Sequence, residues 1–171
     1  MHANSKPTLE NSKAIATRFL DLVGKHDIDA LAELVTPDWT MAGGPPNLAT
    51  GPAGVRALFA TFGRIQQHWR VDEVIGERTD GGDVVVVRGT CTVEQDQFFG
   101  VPAAGIQQVF AATFVHHFRD GRIAETHRTA NDLGRLLQLG AVIRLPNDWI
   151  SSGVRSDLAA AAPRPERAGS C

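Results

Sequence analysis

The pair Asp120-Gly121 constrains the fold of this chain more than any other sequence feature. It lies between two segments, 107–119 and 122–130, in which apolar and polar residues alternate. An Asp-Gly pair at the centre of such alternation is a strong hairpin signal, because both residues tolerate the positive φ angles of a two-residue turn. The sequence therefore predicts two paired antiparallel strands here, with two further strands at about 68–77 and 83–94.

Three helices are predicted before the strands. The first carries one apolar helical face and ends at Gly24, and its face consists of Ile15, Phe19, Leu22 and Val23. Asp27 can cap a second helix, with inner residues Ile28, Leu31, Leu34 and Val35, which Pro37 stops. Pro52 opens the third helix. Helices followed by a curled antiparallel sheet predict an α+β fold shaped as a cone.

The composition of the chain limits its expected binding partners and its expected cellular location. Its 171 residues are 43% hydrophobic, which is enough for one compact domain, and the net charge of −2 offers no basic surface for nucleic acid or a membrane. The N-terminus lacks an apolar signal core, and no run approaches the roughly 20 apolar residues of a membrane span. Cys91 lies in an apolar strand and Cys171 is terminal, so we expect no disulfide framework and a cytoplasmic location.

The six histidines show no metal-site spacing in the sequence. No pair has the separation of a helical or finger-type site. The adjacent His116 and His117 lie on a predicted strand and therefore point to opposite faces. The sequence accordingly predicts no metal site.

Three motifs in the second half of the chain are similar to those of the SnoaL-like polyketide cyclases, a branch of the nuclear transport factor 2-like superfamily. They comprise Phe98, Gly100, Pro102, Ala103 and Gly105; Arg119, Asp120, Gly121, Ile123 and Glu125; and Gly134, Gln138, Leu139 and Gly140. The helical pair from Asn11 to Trp39 extends the resemblance to roughly residues 10–145. This implies an N-terminal extension over 1–9 and a SnoaL-like domain over 10–145, and the apolar pattern fades into a C-terminal tail over 146–171. It also implies a cone-shaped barrel, with the curled sheet packed against about three N-terminal helices.

Strand parity gives a first set of candidate site residues. If Phe110, Phe114 and Phe118 form the concave row, His116 shares it and His117 faces outward. On the last strand, alternation places Glu125, His127, Thr129 and Asn131 on one face with Ile123, and in the family that face looks into the pocket. The large residues Trp39, Met41 and Trp69 are expected at the mouth of the cavity or in ordinary core.

The resemblance also locates the family's catalytic positions. Counted from the Gly134 to Gly140 anchor, the family's tryptophan falls on His127 and its acid/base aspartate on Asn131, with a carboxyl next door at Asp132. Glu94 stands where relatives often have a pocket histidine, and a solvated strand end is the competing interpretation of this residue. These residues imply that His116 or His127 moves a proton and Asn131 stabilises an oxyanion, with Glu94 as an alternative base. A structural hydrogen bond is the competing interpretation for either histidine.

The implied activity is a cofactor-free cyclase or isomerase that uses acid/base chemistry on a polyketide or similar natural-product intermediate, as in antibiotic biosynthesis. Ring closure through an enolate, by hydroxyl addition or by epoxide opening is included. A cofactor-independent hydroxylase of an aromatic polyketide is the first alternative, and a non-enzymatic binding or assembly subunit is the second. The chain contains no tyrosine, so the phenol used by steroid isomerase-like relatives is missing. Relatives pair through the outer faces of their sheets, and the apolar outward row Val109, Ala111, Thr113 and Val115 predicts a homodimer.

Overall fold

The computed structural model describes residues 8–144, so the predicted tail and most of the N-terminal extension lie outside the described residues. Its elements are α1 (Leu9–Lys25), α2 (Ile28–Glu33), β1 (Val35–Ala42), α3 (Gly51–Ala60), β2 (Ile65–Thr79), β3 (Gly82–Gln95), β4 (Gln97–Phe98), β5 (Val101–Pro102), β6 (Gln108–Arg119), β7 (Arg122–Ala130) and α4 (Asp132–Gln138). All of them belong to one compact unit that ends at Gly140, and residues 141–144 of a second unit form no helix or strand. Among the described helices, none combines the length and the apolar character needed to cross a membrane.

A curled five-stranded sheet, in the order β1-β7-β6-β3-β2, packs against the N-terminal helices. The central pairs are antiparallel, as predicted. The α+β class is therefore confirmed. The described sheet is open rather than closed, because β1 and β2 form its two edges, and it is mixed, because β1 runs parallel to β7.

The local sequence signals act as predicted in the turn and in two of the helix starts. Asp120 and Gly121 have φ angles of 51° and 77° and join β6 to β7 as a two-residue turn. The Asp27 side chain accepts a hydrogen bond from the Ala30 backbone N–H at 3.1 Å and so caps α2. Pro52 lies in the first turn of α3.

The end of the second predicted helix is wrong. Helix α2 ends at Glu33, and Val35 begins strand β1, with Pro37 inside that strand. Pro37 is tolerated because β1 is an edge strand, where a missing N–H breaks no ladder. The strand depends on pairing with β7, some 90 residues later in the chain, a contact that local periodicity cannot reveal.

The concave row predicted on β6 is confirmed. Phe110, Phe114, His116 and Phe118 are all buried, whereas His117 is half-buried on the outer face. Phe19 of α1 packs against this row, with its ring centroid 6.1 Å from that of Phe114 and 4.9 Å from that of His116. The helix thus covers the middle of the sheet.

The face predicted for β7 is wrong beyond its first residues. Phe118 pairs with Ile123 but His117 pairs with Glu125, so Ala124 is an extra residue in a β-bulge. A single inserted residue reverses the alternation, and Thr126 rather than Glu125 follows Ile123 into the core. His127, Thr129 and Asn131, which the sequence placed in the pocket, are exposed.

Candidate active site

Two polar clusters interrupt the apolar interior of the cone. The hairpin cluster consists of Trp39, His116 and Thr126, near the end of the sheet that carries the Asp120-Gly121 turn. The flap cluster consists of Gln95, Gln108 and Arg135, at the opposite end, beside the short β4–β5 hairpin. Eight residues of β6 separate Gln108 from His116, which corresponds to roughly 26 Å along the strand. The two clusters therefore cannot act on the same reacting atom.

In the hairpin cluster, one threonine hydroxyl connects two aromatic side chains. The Trp39 indole N–H donates to Thr126 Oγ1 at 3.0 Å, and Thr126 Oγ1 lies 3.1 Å from His116 Nδ1. Because the indole can only donate, the hydroxyl proton is free to be donated to Nδ1. This arrangement favours the His116 tautomer that carries its proton on Nε2, a buried atom with no hydrogen-bond partner among residues 8–144.

Burial lowers the pKa of His116 to about 3, with a further contribution from the neighbouring His117. The imidazole is fully buried among Phe19, Phe114 and Phe118. A histidine with this pKa is neutral at pH 7, as the sequence suggested, but it is a poor proton acceptor because a general base works best when its pKa lies near the working pH. Catalysis by His116 remains a prediction, and the geometry favours the structural interpretation.

In the flap cluster, a buried guanidinium is held between two aromatic rings. The Arg135 guanidinium carbon lies 3.6 Å from the centre of the Phe98 ring and 4.3 Å from that of Phe110. Its N–H groups donate to Gln108 Oε1 at 3.3 Å and to Gln95 Oε1 at 3.2 Å. Arg135 is only 5% exposed, so this cation is withdrawn from water.

The charge of Arg135 is only partly neutralised. Asp132 lies 3.7 Å from it, but the same carboxylate accepts two hydrogen bonds from Arg128, at 2.9 and 3.0 Å. Two guanidiniums therefore share one carboxylate, which leaves a positive charge at this end of the cone. Burial lowers the pKa of Arg135 to about 10, although Asp132 opposes the shift, and the group stays protonated at pH 7.

The β4–β5 hairpin, which we call the flap, places Phe98 over this guanidinium. Its turn residues Phe99 and Gly100 have φ angles of 48° and 77°, and the Phe99 ring is 74% exposed. A depression of about 120 Å³ opens beside the flap and is lined by Glu94 and Gln95, among others. Ligand pockets usually measure roughly 300–1,000 Å³, so this depression is too small to hold a substrate of ordinary size as it stands.

Helix α4 is fixed by the residues of the third family-like motif. The Gln138 side chain accepts from the Val109 N–H and donates to the Val109 carbonyl, both at 2.8 Å, and so continues the β6 pairing beyond the end of β7. Asn131 Oδ1 accepts from the Gly134 N–H at 2.9 Å and caps the helix. A Cβ on Gly134 would lie 2.5 Å from the Asn131 amide nitrogen, which explains the glycine.

The structure divides the predicted site residues into three groups. Phe110 and Asp132 lie at the flap cluster, Trp69 packs edge-on against Phe110 and Phe114, and Glu94 lines the adjacent depression. Trp39 and His116 belong to the hairpin cluster, and Met41 is half-buried against the core. His127, Thr129 and Asn131 are brought to neither cluster.

Sequence reasoning missed the three residues of the flap cluster. Gln95 and Gln108 occupy buried positions in the alternation of β3 and β6. A side-chain amide on a core-facing row needs a hydrogen-bond partner, and this requirement could have predicted a polar cluster there. Arg135 gave no such signal, because only the packing of α4 against Phe98 and Phe110 buries it. A larger surface depression, of about 720 Å³, lies outside the cone, and its Arg56 and Asp29 form an exposed ion pair. None of the residues that line this depression is both polar and buried.

Comparison with known protein families shows which family the chain belongs to. Residues 16–126 match the family described as SnoaL-like domain. This chain belongs to that family. A search of curated protein sequences returned no match.

Solved structures share the SnoaL-like fold at low sequence identity. TsrD from Streptomyces laurentii is 23% identical, with a TM-score of 0.67 over 80% of this chain and 100% of that one. A candidate SnoaL-like polyketide cyclase from Jannaschia sp. CCS1 is 24% identical, with a TM-score of 0.65 over 82% and 99%. The candidate hydroxylase AclR from Streptomyces galilaeus is 20% identical, with a TM-score of 0.67 over 90% and 95%.

Proposed function

We propose that this SnoaL-like protein is a cofactor-free cyclase or isomerase that acts on a polyketide or similar natural-product intermediate at the flap cluster. The observation that carries the proposal is the buried Arg135 guanidinium, which lies between two aromatic rings and shares the Asp132 carboxylate with Arg128. Ring closure and isomerisation of polyketide-like substrates pass through an enolate, and a fixed buried cation stabilises that oxyanion most effectively.

The surroundings of Arg135 suit a flat, unsaturated substrate. A substrate ring that replaces Phe98 would stack on the guanidinium and face Phe110, while its oxygen accepts a hydrogen bond from an Arg135 N–H. Gln95 and Gln108 hold the guanidinium in place through their side-chain oxygens. The charge is thus positioned before the substrate arrives, so that little reorganisation is needed during the reaction.

Proton transfer is not assigned to Glu94 in this proposal. Glu94 is exposed and its neighbour Gln95 is buried, so the two side chains point to opposite faces of β3. The Glu94 carboxylate therefore lies on the face away from Arg135, which Gln95 contacts. Arg135 takes the oxyanion role that the sequence had suggested for Asn131, whose side-chain oxygen caps α4 instead.

The proposal is tested with purified protein, aromatic polyketide substrates that carry an enolisable ketone, and no added cofactor. An isomeric product without oxygen uptake supports cyclase or isomerase activity. Gain of an oxygen atom with oxygen consumption would establish the hydroxylase alternative, and ligand binding without turnover would establish the binding-protein alternative.

Variants locate the activity in the molecule. Arg135→Gln should lower kcat/KM by roughly 10²–10³, as expected for the loss of one oxyanion donor, and Arg135→Lys should retain part of the activity. Arg56→Gln, which changes an exposed arginine on α3, is the matched control and should leave turnover unchanged. Chemical unfolding of each variant shows whether the fold is intact. Full turnover by a folded Arg135→Gln protein would contradict the proposed site.

A further inference from the structure

The outer face of the sheet carries three potential metal ligands that neither polar cluster includes. His117 of β6 and Glu125 and His127 of β7 each offer one ligand atom, and these atoms lie within 4.8 Å of one another. His127 Nε2 is 2.9 Å from Glu125 Oε1, and the two imidazole centroids are 5.7 Å apart. We call these residues the outer triad.

Strand pairing explains why the three side chains converge. His117 and Glu125 are direct partners in the β6–β7 ladder, and His127 lies two residues from Glu125 on the same face. The Ala124 bulge is essential to this arrangement, because it turns Glu125 and His127 to the outside, where His117 already points. Neither residue spacing nor simple alternation predicts the triad.

The residues that pair directly with the members of the outer triad on the neighbouring strands are uncharged. The residues that pair with its members from β3 and β1 are Val84, Thr40 and Ala42. Among the nearest arginines of the described chain, Arg128 is engaged by Asp132 and Arg119 by Asp38. A cation at the triad would therefore meet two imidazoles and a carboxylate without direct repulsion.

Two histidines and one carboxylate form a ligand set that suits Zn²⁺, with a fourth position open to water. Zinc–ligand distances of roughly 2.0–2.2 Å place neighbouring ligand atoms of a tetrahedral site about 3.4 Å apart. The His127–Glu125 contact would have to open by about 0.5 Å from 2.9 Å, and a pair of ligand atoms at the 4.8 Å limit would have to close by about 1.4 Å. Both side chains are more than 40% exposed, so this rotation meets little resistance.

From this geometry we infer that the outer triad is a binding site for one Zn²⁺ ion per chain, formed by His117, Glu125 and His127. The ion joins β6 to β7 across the bulge on the outer face of the sheet. The flap cluster lies at the other end of β6 and on the opposite face, so zinc binding is independent of the activity proposed for Arg135.

Calorimetric titration of untagged, chelator-treated protein with zinc chloride tests the inference. We expect one Zn²⁺ per chain. His117→Ala, Glu125→Gln and His127→Ala should each lower the affinity roughly tenfold or more, since loss of even an outer-shell partner commonly costs 10–100-fold. His68→Ala removes an exposed strand histidine far from the triad and is the matched control, which should bind like wild type.

Thermal unfolding with and without zinc chloride provides a second readout. Zinc should raise the unfolding midpoint of wild type and of His68→Ala, because a ligand that binds the folded state stabilises it, but should not raise that of His117→Ala. Absence of binding, one ion per two chains, or unchanged affinity in the triad variants would overturn the inference. Visible absorption of bound Co²⁺, compared between wild type and His117→Ala, reports directly on ligation by the triad.

Discussion

His116 and Thr126 are directly opposite each other in the antiparallel β6–β7 pair, with 3.1 Å between Nδ1 and Oγ1, and both side chains are fully buried. The pairing depends on the bulge at Ala124, without which Thr126 would face outward. A buried polar contact is thus created by the insertion of one residue into β7.

Thr126→Val should destabilise the protein. The substitution keeps the size of the side chain but leaves the Trp39 indole N–H and His116 Nδ1 without their common partner. Each unsatisfied buried group should lower the free energy of unfolding by about 1–3 kcal/mol. Urea unfolding measures the loss. Thr129→Val on the exposed face of the same strand is the control, and equal stability of the two variants would contradict the role of the hydroxyl.

The buried His116 should make stability depend on pH below about 6.5. Its pKa is about 3 in the folded chain, against 6.5 for an exposed histidine, so between these values the unfolded chain binds a proton that the folded chain does not. The free energy of unfolding should therefore fall on acidification, by about 1.4 kcal/mol per pH unit from this group.

Unfolding of wild type and His116→Gln at pH 7.5, 6.0 and 5.0 isolates this contribution. The variant should show a shallower loss of stability in this range, whereas His68→Gln should match wild type. Parallel curves for His116→Gln and wild type would show that the imidazole is not held neutral.

Asn131→Ala should cost stability because it removes the cap of α4. The expected loss is about 1 kcal/mol, and Asn131→Asp should retain the cap, since aspartate accepts the Gly134 N–H equally well. Urea unfolding distinguishes these outcomes. A variant with aspartate that also turns over faster than wild type would instead support the acid/base role of this position in the family.

We expect a homodimer through the row Val109, Ala111, Thr113 and Val115 on the outer face of β6, a row that does not include the outer triad. Val109 is 50% exposed on the apolar row of β6, and a charge at this position should weaken an interface that covers it. Light scattering should give twice the chain mass of 18.4 kDa for wild type and a smaller value for Val109→Glu at micromolar concentration. Substitution of the exposed Leu133 by Glu on α4 serves as a control. A monomeric wild type would contradict the prediction.

The elements that depend on neighbouring residues could be predicted from the sequence. The Asp120-Gly121 turn, the Asp27 cap and the buried row from Phe110 to Phe118 follow from local backbone preference and from alternation within one strand. The motifs around them also pointed to the SnoaL-like family, which the match over residues 16–126 shows.

Which side chains meet depends on strand pairing and packing between distant segments, which local patterns do not reveal. Alternation fails at Ala124, because a bulge is set by the pairing of β7 with its neighbours, and this moved His127 from the expected pocket to the outer triad. Strand β1 and the burial of Arg135 likewise depend on residues distant in sequence. Local preferences specify turns, caps and faces, whereas a site formed by several elements depends on register and packing, which no single segment encodes.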